Sequence, residues 1–556
     1  MKKKVIVISG RICTWKSTLA QKLSKEYGYQ LIKTSDLLME ASGEQLTRSE
    51  LQEFGDCQDS SSNYRWVHDA VVAAVESSIN HDTFILDHIR HKGQLEYFRN
   101  QSAFDVVHIH LFAQDWFLEA EFKKRQQERP DTVTGIWQDA DPLFGHQDDI
   151  IWFKRDADIR LDVTRNDAED VFVRATAALR ITPVQTRQCV DVIIGGQFGS
   201  EGKGNIAAYL SREYEVLVRV GGPNAGHTVS SETGEYTYHQ LPSGSKDCDA
   251  EILLGPGMTI DIAKLLSEIE DCGIDEQRLF IDPNAMIIEE KDKSAETNLK
   301  SDISSTGSGS GSAAARRILG RNEKTKLARD IEELSKFVGK GVNPRGSTLK
   351  RLELAYSRNA SILLEGTQGS GLSLYHGPYP YVTSRDTNVA GCLAEAGISP
   401  ARVRRIILVT RSTPIRVANP EGEGRTSGDL KHETDFFEIA KSAGLDGQTL
   451  KEAEITSTTK RDRRVGWFDW ELFRRSCKLN APTDVALTFA DYISENNQNA
   501  RRYEQLTEET IQFIEELELV SQARVTLVNT RFPTPEEHSK ADLRCVIDRR
   551  SWRGNR

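Results

Sequence analysis

At 556 residues the chain is too long for one ordinary core, and roughly two to four folding units are expected. A formal charge of −11 argues against a nucleic-acid polymer or an anionic membrane as the main partner, so any bound phosphate has to be held by local groups. Hydrophobic residues make up 38% and charged residues 28%, the balance of a soluble globular protein; eight scattered cysteines without a Cys-x-x-Cys pair disfavour a zinc cage or a disulfide framework and suit a reducing cytosol.

The opening Met1-Lys-Lys-Lys4 and the apolar run after it superficially resemble a signal peptide. The run stops at Gly10-Arg11, too short for that purpose, so residues 4–9 are read as a first strand. No segment approaches the about 20 apolar residues of a membrane span, and a cytoplasmic protein is expected. A helix is predicted over 16–27, short strands over 30–34, 84–87 and 106–112, and a helix through 118–125 that carries the basic cluster Lys123-Lys-Arg125. The breaking run Arg180-Ile-Thr-Pro-Val-Gln-Thr-Arg187 marks a boundary, giving domains at 1–182 and 188–556.

Gly10-Arg-Ile-Cys-Thr-Trp-Lys-Ser17 follows a strand and opens a helix, the setting a phosphate-cradling Walker A loop requires. Gly10, Lys16, Ser17 and Thr18 stand at the expected offsets, with Ser17 as a metal ligand, but Trp15 replaces the glycine before the lysine. Its indole has to point away from a nucleotide or narrow the phosphate nest. Asp87-His-Ile-Arg90 follows another strand, with Glu96 and Arg99 on the next helix. This region resembles the small P-loop nucleotide kinases, in which such an Asp and Arg serve metal and substrate phosphate. Lys124, Arg125 and Arg129 are candidates for a phosphate-closing lid, against the plainer reading of a solvated basic face. An active kinase and a kinase fold kept as a scaffold both stay open.

Strands are predicted next at 189–194, 215–220, 252–254, 361–364 and 405–409. The apolar run Val190-Asp-Val-Ile-Ile194 leads into Gly195-Gly-Gln-Phe-Gly-Ser-Glu-Gly-Lys-Gly204, a second phosphate loop. Asn224-Ala-Gly-His-Thr228, Glu365-Gly-Thr-Gln-Gly369, Tyr379-Pro-Tyr-Val-Thr-Ser384 and Thr458-Thr-Lys-Arg-Asp-Arg-Arg-Val-Gly-Trp467 follow in order. From about 190 to 548 the chain resembles the adenylosuccinate synthetase family, and these motifs carry the resemblance. An α/β protein of two domains is therefore expected: a P-loop kinase-like parallel sheet, then a larger, mainly parallel sheet.

The resemblance implies a two-step C–N ligase. A nucleoside triphosphate phosphorylates the purine 6-oxygen, then the amino group of L-aspartate attacks carbon 6 and expels phosphate. Lys203 with Gly199, Glu201, Gly202 and Gly204 would hold phosphate, His227 would donate to the 6-oxygen, and Gln368 would contact it. Asn224, Thr306, Gly307 and Thr383 correspond to monophosphate and substrate contacts. The Ser304-Ser-Thr-Gly-Ser-Gly-Ser-Gly-Ser312 patch thereby changes from a flexible linker into a phosphate loop. Arg461 and Arg463, with Thr458 and Thr459, would grip the aspartate carboxylates. Mg²⁺ would bridge the phosphates, with Ser200 and the Gly226 carbonyl as ligands.

Ser200 stands where the family has the aspartate that removes the ring N1 proton. A hydroxyl cannot do this unaided, which leaves the proton acceptor open, with water and the substrate's own phosphate chemistry as candidates. One consequence is a silent enzyme. The other is altered substrate choice, as in the phage-type branch that makes N6-succino-2-aminodeoxyadenylate from dGMP: the smaller side chain leaves room for a 2-amino group. Thr383-Ser-Arg-Asp386 also resembles that branch, and the retention of His227, Lys203, Gln368, Arg461 and Arg463 favours an active, guanine-type ligase. In Leu487-Thr-Phe-Ala-Asp491 the family's guanine-reading Asp491 remains while its lysine is Phe489, which opens the donor to ATP or dATP beside GTP. The cross-subunit arginine of a family dimer falls at Arg316, Arg317 or Arg321. An IMP- or dIMP-using synthetase and a silent nucleotide-binding regulator remain as alternatives.

Overall fold

The computed structural model describes residues 2–46, 48–78, 81–101, 103–128, 137, 147–182, 185–231, 234–303, 305–338, 347–418, 426–455, 461–531 and 545–551. The chain divides into two compact units, Met1–Thr182 and Pro183–Arg556.

The first unit is a five-stranded parallel sheet in the spatial order Gln30–Ile32, Thr83–Leu86, Lys3–Gly10, Phe104–Phe112, Ile159–Asp162. Val5, Ile6, Val7 and Ile8 are all fully buried, as a central parallel strand covered on both faces demands. The strand ends at Gly10 and the chain re-enters as the helix Lys16–Tyr27, closed by Gly28 in the left-handed conformation. The strand Ile159–Asp162 went unassigned in the sequence because only two of its four residues are apolar.

The second unit is built on a nine-stranded sheet. Its order is Leu279–Ile281, Glu251–Leu254, Val216–Arg219, Ile362–Gly369, Val190–Gly195, Val403–Arg411, Asp484–Thr488, Arg524–Asn529, Val546–Asp548, and only the last strand runs antiparallel. Mixed α/β architecture with mostly parallel sheets is thus what both units show. Val190–Gly195 lies at the centre, buried throughout, so its glycine-rich exit loop opens at the carboxyl edge of the sheet. A hairpin, His227–Ser231 with Gly234–Tyr238, and a three-stranded antiparallel sheet of Ile415–Val417, Arg463–Gly466 and Glu433–Thr434 carry further site residues. All eight cysteines are free thiols, and among the described residues no helix is long and apolar enough to cross a membrane.

Candidate functional site

A cavity of about 1360 Å³ opens over the carboxyl edge of the nine-stranded sheet. The exit loop reaches it through Gly199, Ser200, Gly202, Lys203 and Gly204, and the second motif through Asn224, Ala225, Gly226, His227 and Thr228. The glycines have two separate reasons. Gly202 caps the helix Lys203–Ser211 at φ +76°, a left-handed conformation costly for other residues. A Cβ on Gly204 would stand 2.8 Å from the Cβ of His227, so only glycine lets loop and hairpin meet.

Glu201 departs from the expected phosphate-binding role. It is fully buried below the loop and does not line the cavity. Its carboxylate accepts from the backbone N–H groups of Gln197 (2.9 Å) and Gly199 (2.8 Å) and pairs with the Lys203 ammonium at 2.7 Å. It therefore braces the loop from inside.

His227 sits in a buried charged group that spacing alone did not reveal. Glu365 Oε1 lies 2.5 Å from His227 Nδ1 and 2.7 Å from Arg219, and Ser243 donates to Glu365 through Oγ and N–H, both at 2.7 Å. Nδ1 has two neighbours, the Glu365 acceptor at 2.5 Å and the Arg219 donor at 2.9 Å; the shorter contact places the proton on Nδ1, with Nε2 directed away from the pair. Nε2 is buried, has no hydrogen-bond partner, and belongs to a residue lining the cavity. Burial, then the Arg219 charge, lowers the imidazole to about 4 against the opposing pull of Glu365, so the ring is neutral. For Glu365, burial works the other way, but Arg219 and His227 outweigh it and hold the carboxyl far below the usual carboxylate range.

Gln368 takes a left-handed backbone at φ +63°, donates from Nε2 to Thr383 Oγ1 at 2.8 Å, and leaves a buried Oε1 without a hydrogen-bond partner at the cavity. Thr306 lines the cavity and Gly307 does not. The Ser/Gly patch is no linker: Glu296 accepts from the N–H groups of Gly309 and Ser312, and the helix Ser310–Gly320 starts within it. In Thr383-Ser-Arg-Asp386, Arg385 makes a two-pronged pair with Glu395 (2.7 Å on each prong) and Asp386 accepts from Ser373, so both support the loop rather than face the cavity.

At the far end, Arg463 pairs with Glu454 at 2.6 Å, and Glu454 also accepts from Arg411 (2.6 Å) and Tyr492 (2.7 Å). Burial would raise Glu454, but the two arginines hold it at about 2. Arg463 lines the cavity and Arg461 does not; Thr458, Thr459 and Arg129 lie outside the described residues. Phe489 adopts φ +56° and supports the Arg411 guanidinium, 3.8 Å from the ring centre. Asp491 faces the cavity with Oδ1 buried and without a hydrogen-bond partner, and burial raises its carboxyl to about 7. Arg416, which lies outside every motif legible in the sequence, is also buried at the wall, with one guanidinium nitrogen lacking a hydrogen-bond partner. Of the three arginines considered for a dimer contact, Arg316 is committed to Asp292 within its own chain and Arg317 donates to the Pro256 carbonyl, whereas Arg321 is exposed.

In the first unit a smaller cavity of about 490 Å³ is lined by Gly10, Trp15, Lys16, Ser17, Thr18, Asp87 and Arg90 among others. Cys13 and Trp15 both hold positive φ (64° and 67°), so the nest persists without glycine at those positions. The Trp15 ring stacks under Arg125, 4.9 Å away, and both line the cavity; Lys124 is exposed. Asp87 accepts from the Thr34 N–H at 3.1 Å, and burial raises its carboxyl. His110, missed in the sequence, also lines this cavity; it bonds Ser9 at 2.8 Å, and Ser9 bonds His108 at 2.7 Å.

The profile of the adenylosuccinate synthetase family matches residues 192–336 and 316–498, more than half of the chain. The adenylosuccinate synthetase of Methanocaldococcus jannaschii is 37% identical over 362 residues, 64% of this chain and 96% of that protein. That of Pyrococcus horikoshii is 37% identical over 368 residues, 65% of this chain and 98% of its own length. Among solved structures, the succinoaminodeoxyadenylate synthetase of cyanophage S-2L, bound to dGMP and dATP as an energy donor, is 30% identical with a TM-score of 0.52, covering 65% of this chain and 95% of that one. The fully ligated adenylosuccinate synthetase of Plasmodium falciparum has the same fold, at 20% identity and a TM-score of 0.53, with 65% of this chain and 100% of that chain covered. The chain belongs to the adenylosuccinate synthetase family. It is a ligase of that type, acting in purine nucleotide metabolism.

Proposed function

We propose that the second unit joins L-aspartate to carbon 6 of a guanine mononucleotide, dGMP or GMP, giving N6-succino-2-amino(deoxy)adenylate. The observation that carries this reading is Ser200: a neutral, short side chain at the cavity wall, next to an otherwise complete set of His227, Lys203 and Gln368. Likeness to the cyanophage enzyme supports it, as does the room that serine leaves for a 2-amino group.

In the first step the purine 6-oxygen attacks the γ-phosphorus of ATP or GTP. A P–O bond to the 6-oxygen forms, the bond to the leaving diphosphate breaks, and the N1 proton departs to water or to phosphate oxygen. Lys203 and the loop N–H groups hold the transferring phosphoryl group. His227 is neutral before substrate arrives; an anionic phosphate beside Nε2 favours the imidazolium, which then donates to the 6-oxygen while Glu365 fixes the ring. In the second step the aspartate amine forms the C–N bond, the C–O bond breaks, and phosphate leaves with the proton the amine gives up. Arg463, the one of the two arginines that lines the cavity, binds the aspartate carboxylates, and Asp491 meets the donor base.

Ser200 and Gly226 both line the cavity and offer neutral oxygens, a hydroxyl and a carbonyl, which fits Mg²⁺ held chiefly by phosphates. When bound, Mg²⁺ would neutralise charge on the transferring phosphate. A homodimer belongs to the same proposal, with Arg321, exposed in this chain, as the residue that would reach the partner's site.

The test is mass spectrometry of the succinyl adduct after incubation with L-aspartate, Mg²⁺ and ATP or GTP, offering dGMP, GMP, dIMP and IMP in parallel. A guanine-nucleotide adduct supports the reading, and an adduct with IMP or dIMP alone replaces it with an ordinary synthetase. Nucleotide binding without any adduct points to a regulator.

For the first unit, the gathering of Gly10, Lys16, Ser17 and Thr18 with Asp87 and Arg90 around one cavity favours an active P-loop kinase over a scaffold. Transfer of phosphate from ATP to a nucleoside monophosphate, measured without aspartate and lost in Lys16→Ala, tests it.

A further inference from the structure

Three residues of the first unit, none of which lines its cavity, form a separate cluster. Asp56 and Asp59 lie one turn apart on the helix Arg48–Ser62, and His91 stands before the helix Lys92–Asn100. His91 Nε2 is 3.7 Å from Asp59 Oδ2 and 3.8 Å from Asp56 Oδ1.

Asp59 is the informative member. Its Oδ1 accepts from Trp66 Nε1 and Gln94 Nε2, both at 2.7 Å, which fixes the carboxylate plane. Its Oδ2 is buried and has no hydrogen-bond partner, in a residue only 2% exposed. An ionised oxygen left in that state is costly unless a cation joins it. The other ring nitrogen of His91, Nδ1, lies 3.1 Å from Asp149 Oδ2. A carboxylate accepting from Nδ1–H leaves Nε2 as a lone-pair donor, the arrangement common in carboxylate–histidine–metal sites.

The geometry points to a divalent transition-metal site formed by His91 Nε2, Asp59 Oδ2 and Asp56 Oδ1, with Zn²⁺ as its expected occupant. The separations support this. They are too long for hydrogen bonds, yet near the roughly 3.4 Å between two ligands that each stand about 2.1 Å from a tetrahedral zinc. One imidazole and two carboxylates suit zinc better than Mg²⁺ or Ca²⁺, which prefer oxygen alone. Water completes the coordination from the Asp56 side, where that side chain is half exposed.

The site has a route to the neighbouring cavity. Asp56 Oδ1 also accepts from Arg90 at 2.7 Å, and Arg90 lines the phosphate cavity of this unit. An ion that draws on Asp56 loosens its hold on Arg90, so metal loading tunes the arginine available to an incoming phosphate.

The test uses the full chain after EDTA treatment, titrated with Zn²⁺ by calorimetry and with Co²⁺ by absorption. We expect one site per chain without a thiolate-to-metal band. Affinity should fall at least tenfold in Asp59→Asn and in His91→Asn, with far-UV circular dichroism unchanged. Asp56→Asn, at a half-exposed position, gives the same reading if either buried variant fails to fold. No binding by the parent protein, affinity unchanged in the variants that fold, or a thiolate band would each overturn the assignment.

Discussion

Replacing Glu365 by Gln tests the buried group behind His227. Glu365 receives His227 Nδ1 at 2.5 Å, Arg219 at 2.7 Å and two donors of Ser243 at 2.7 Å each. Every neighbour is a donor. The amide keeps the shape but turns one acceptor into a donor, so at least one contact becomes donor against donor whichever way it is rotated. Losing one charge-assisted hydrogen bond costs about 1.5–3 kcal/mol. Fully buried Arg219 also loses its ion-pair partner, and breaking a buried pair costs about 3–5 kcal/mol of stability. For catalysis, a histidine without its orienting carboxylate forfeits much of the roughly 10²–10⁴-fold share of acid–base assistance. We therefore expect Glu365→Gln to lower kcat at least about a hundredfold, about 2.7 kcal/mol in the barrier, while the KM for aspartate stays within about twofold. Initial rates of adduct formation at saturating nucleotide measure this, with circular dichroism as the check on folding. A folded variant within threefold of the parent kcat refutes the role assigned to the pair.

Three further outcomes are expected. Burial raises the Asp491 carboxyl to about 7, so the fold retains a proton that the unfolded chain sheds above about pH 4; this group's contribution to stability therefore declines as pH rises from about 4 to about 7. Asp491→Asn should gain in Tm relative to the parent across that window, and a constant difference between the two melting curves would contradict it. Arg463→Ala should raise the KM for aspartate at least tenfold with little change in nucleotide KM, read from initial rates; an unchanged aspartate KM removes Arg463 from the carboxylate site. Ser200→Asp should shift the ratio of IMP to dGMP turnover at least tenfold toward IMP in direct competition, and an unmoved ratio detaches Ser200 from base choice.

The parts legible in the sequence were those governed by local spacing. The strand and glycine loop ending at Lys203, the Asn224–Thr228 motif and the P-loop at Gly10 are each continuous, and their backbone demands are written in glycine and lysine. The missed parts are pairings between residues far apart in the chain. Arg219 and Glu365 meet because they are register partners on neighbouring strands, and Arg411 meets Glu454 because the end of the strand Val403–Arg411 packs against the end of the helix Gly447–Ala453. Glu201 shows the converse limit: membership of a motif did not reveal that its side chain turns inward. The four-residue strand Ile159–Asp162, with two charged residues, lacked the hydrophobic run that marks the longer strands.

Glu201 also shows how a glycine-dense loop keeps one shape. Its carboxylate holds the N–H groups of Gln197 and Gly199 and the ammonium of Lys203, so contacts within the chain itself define the loop. A loop ordered only by its ligand would lose conformational entropy at each encounter, and affinity would fall by that amount. A loop braced by its own polypeptide meets that cost in folding instead.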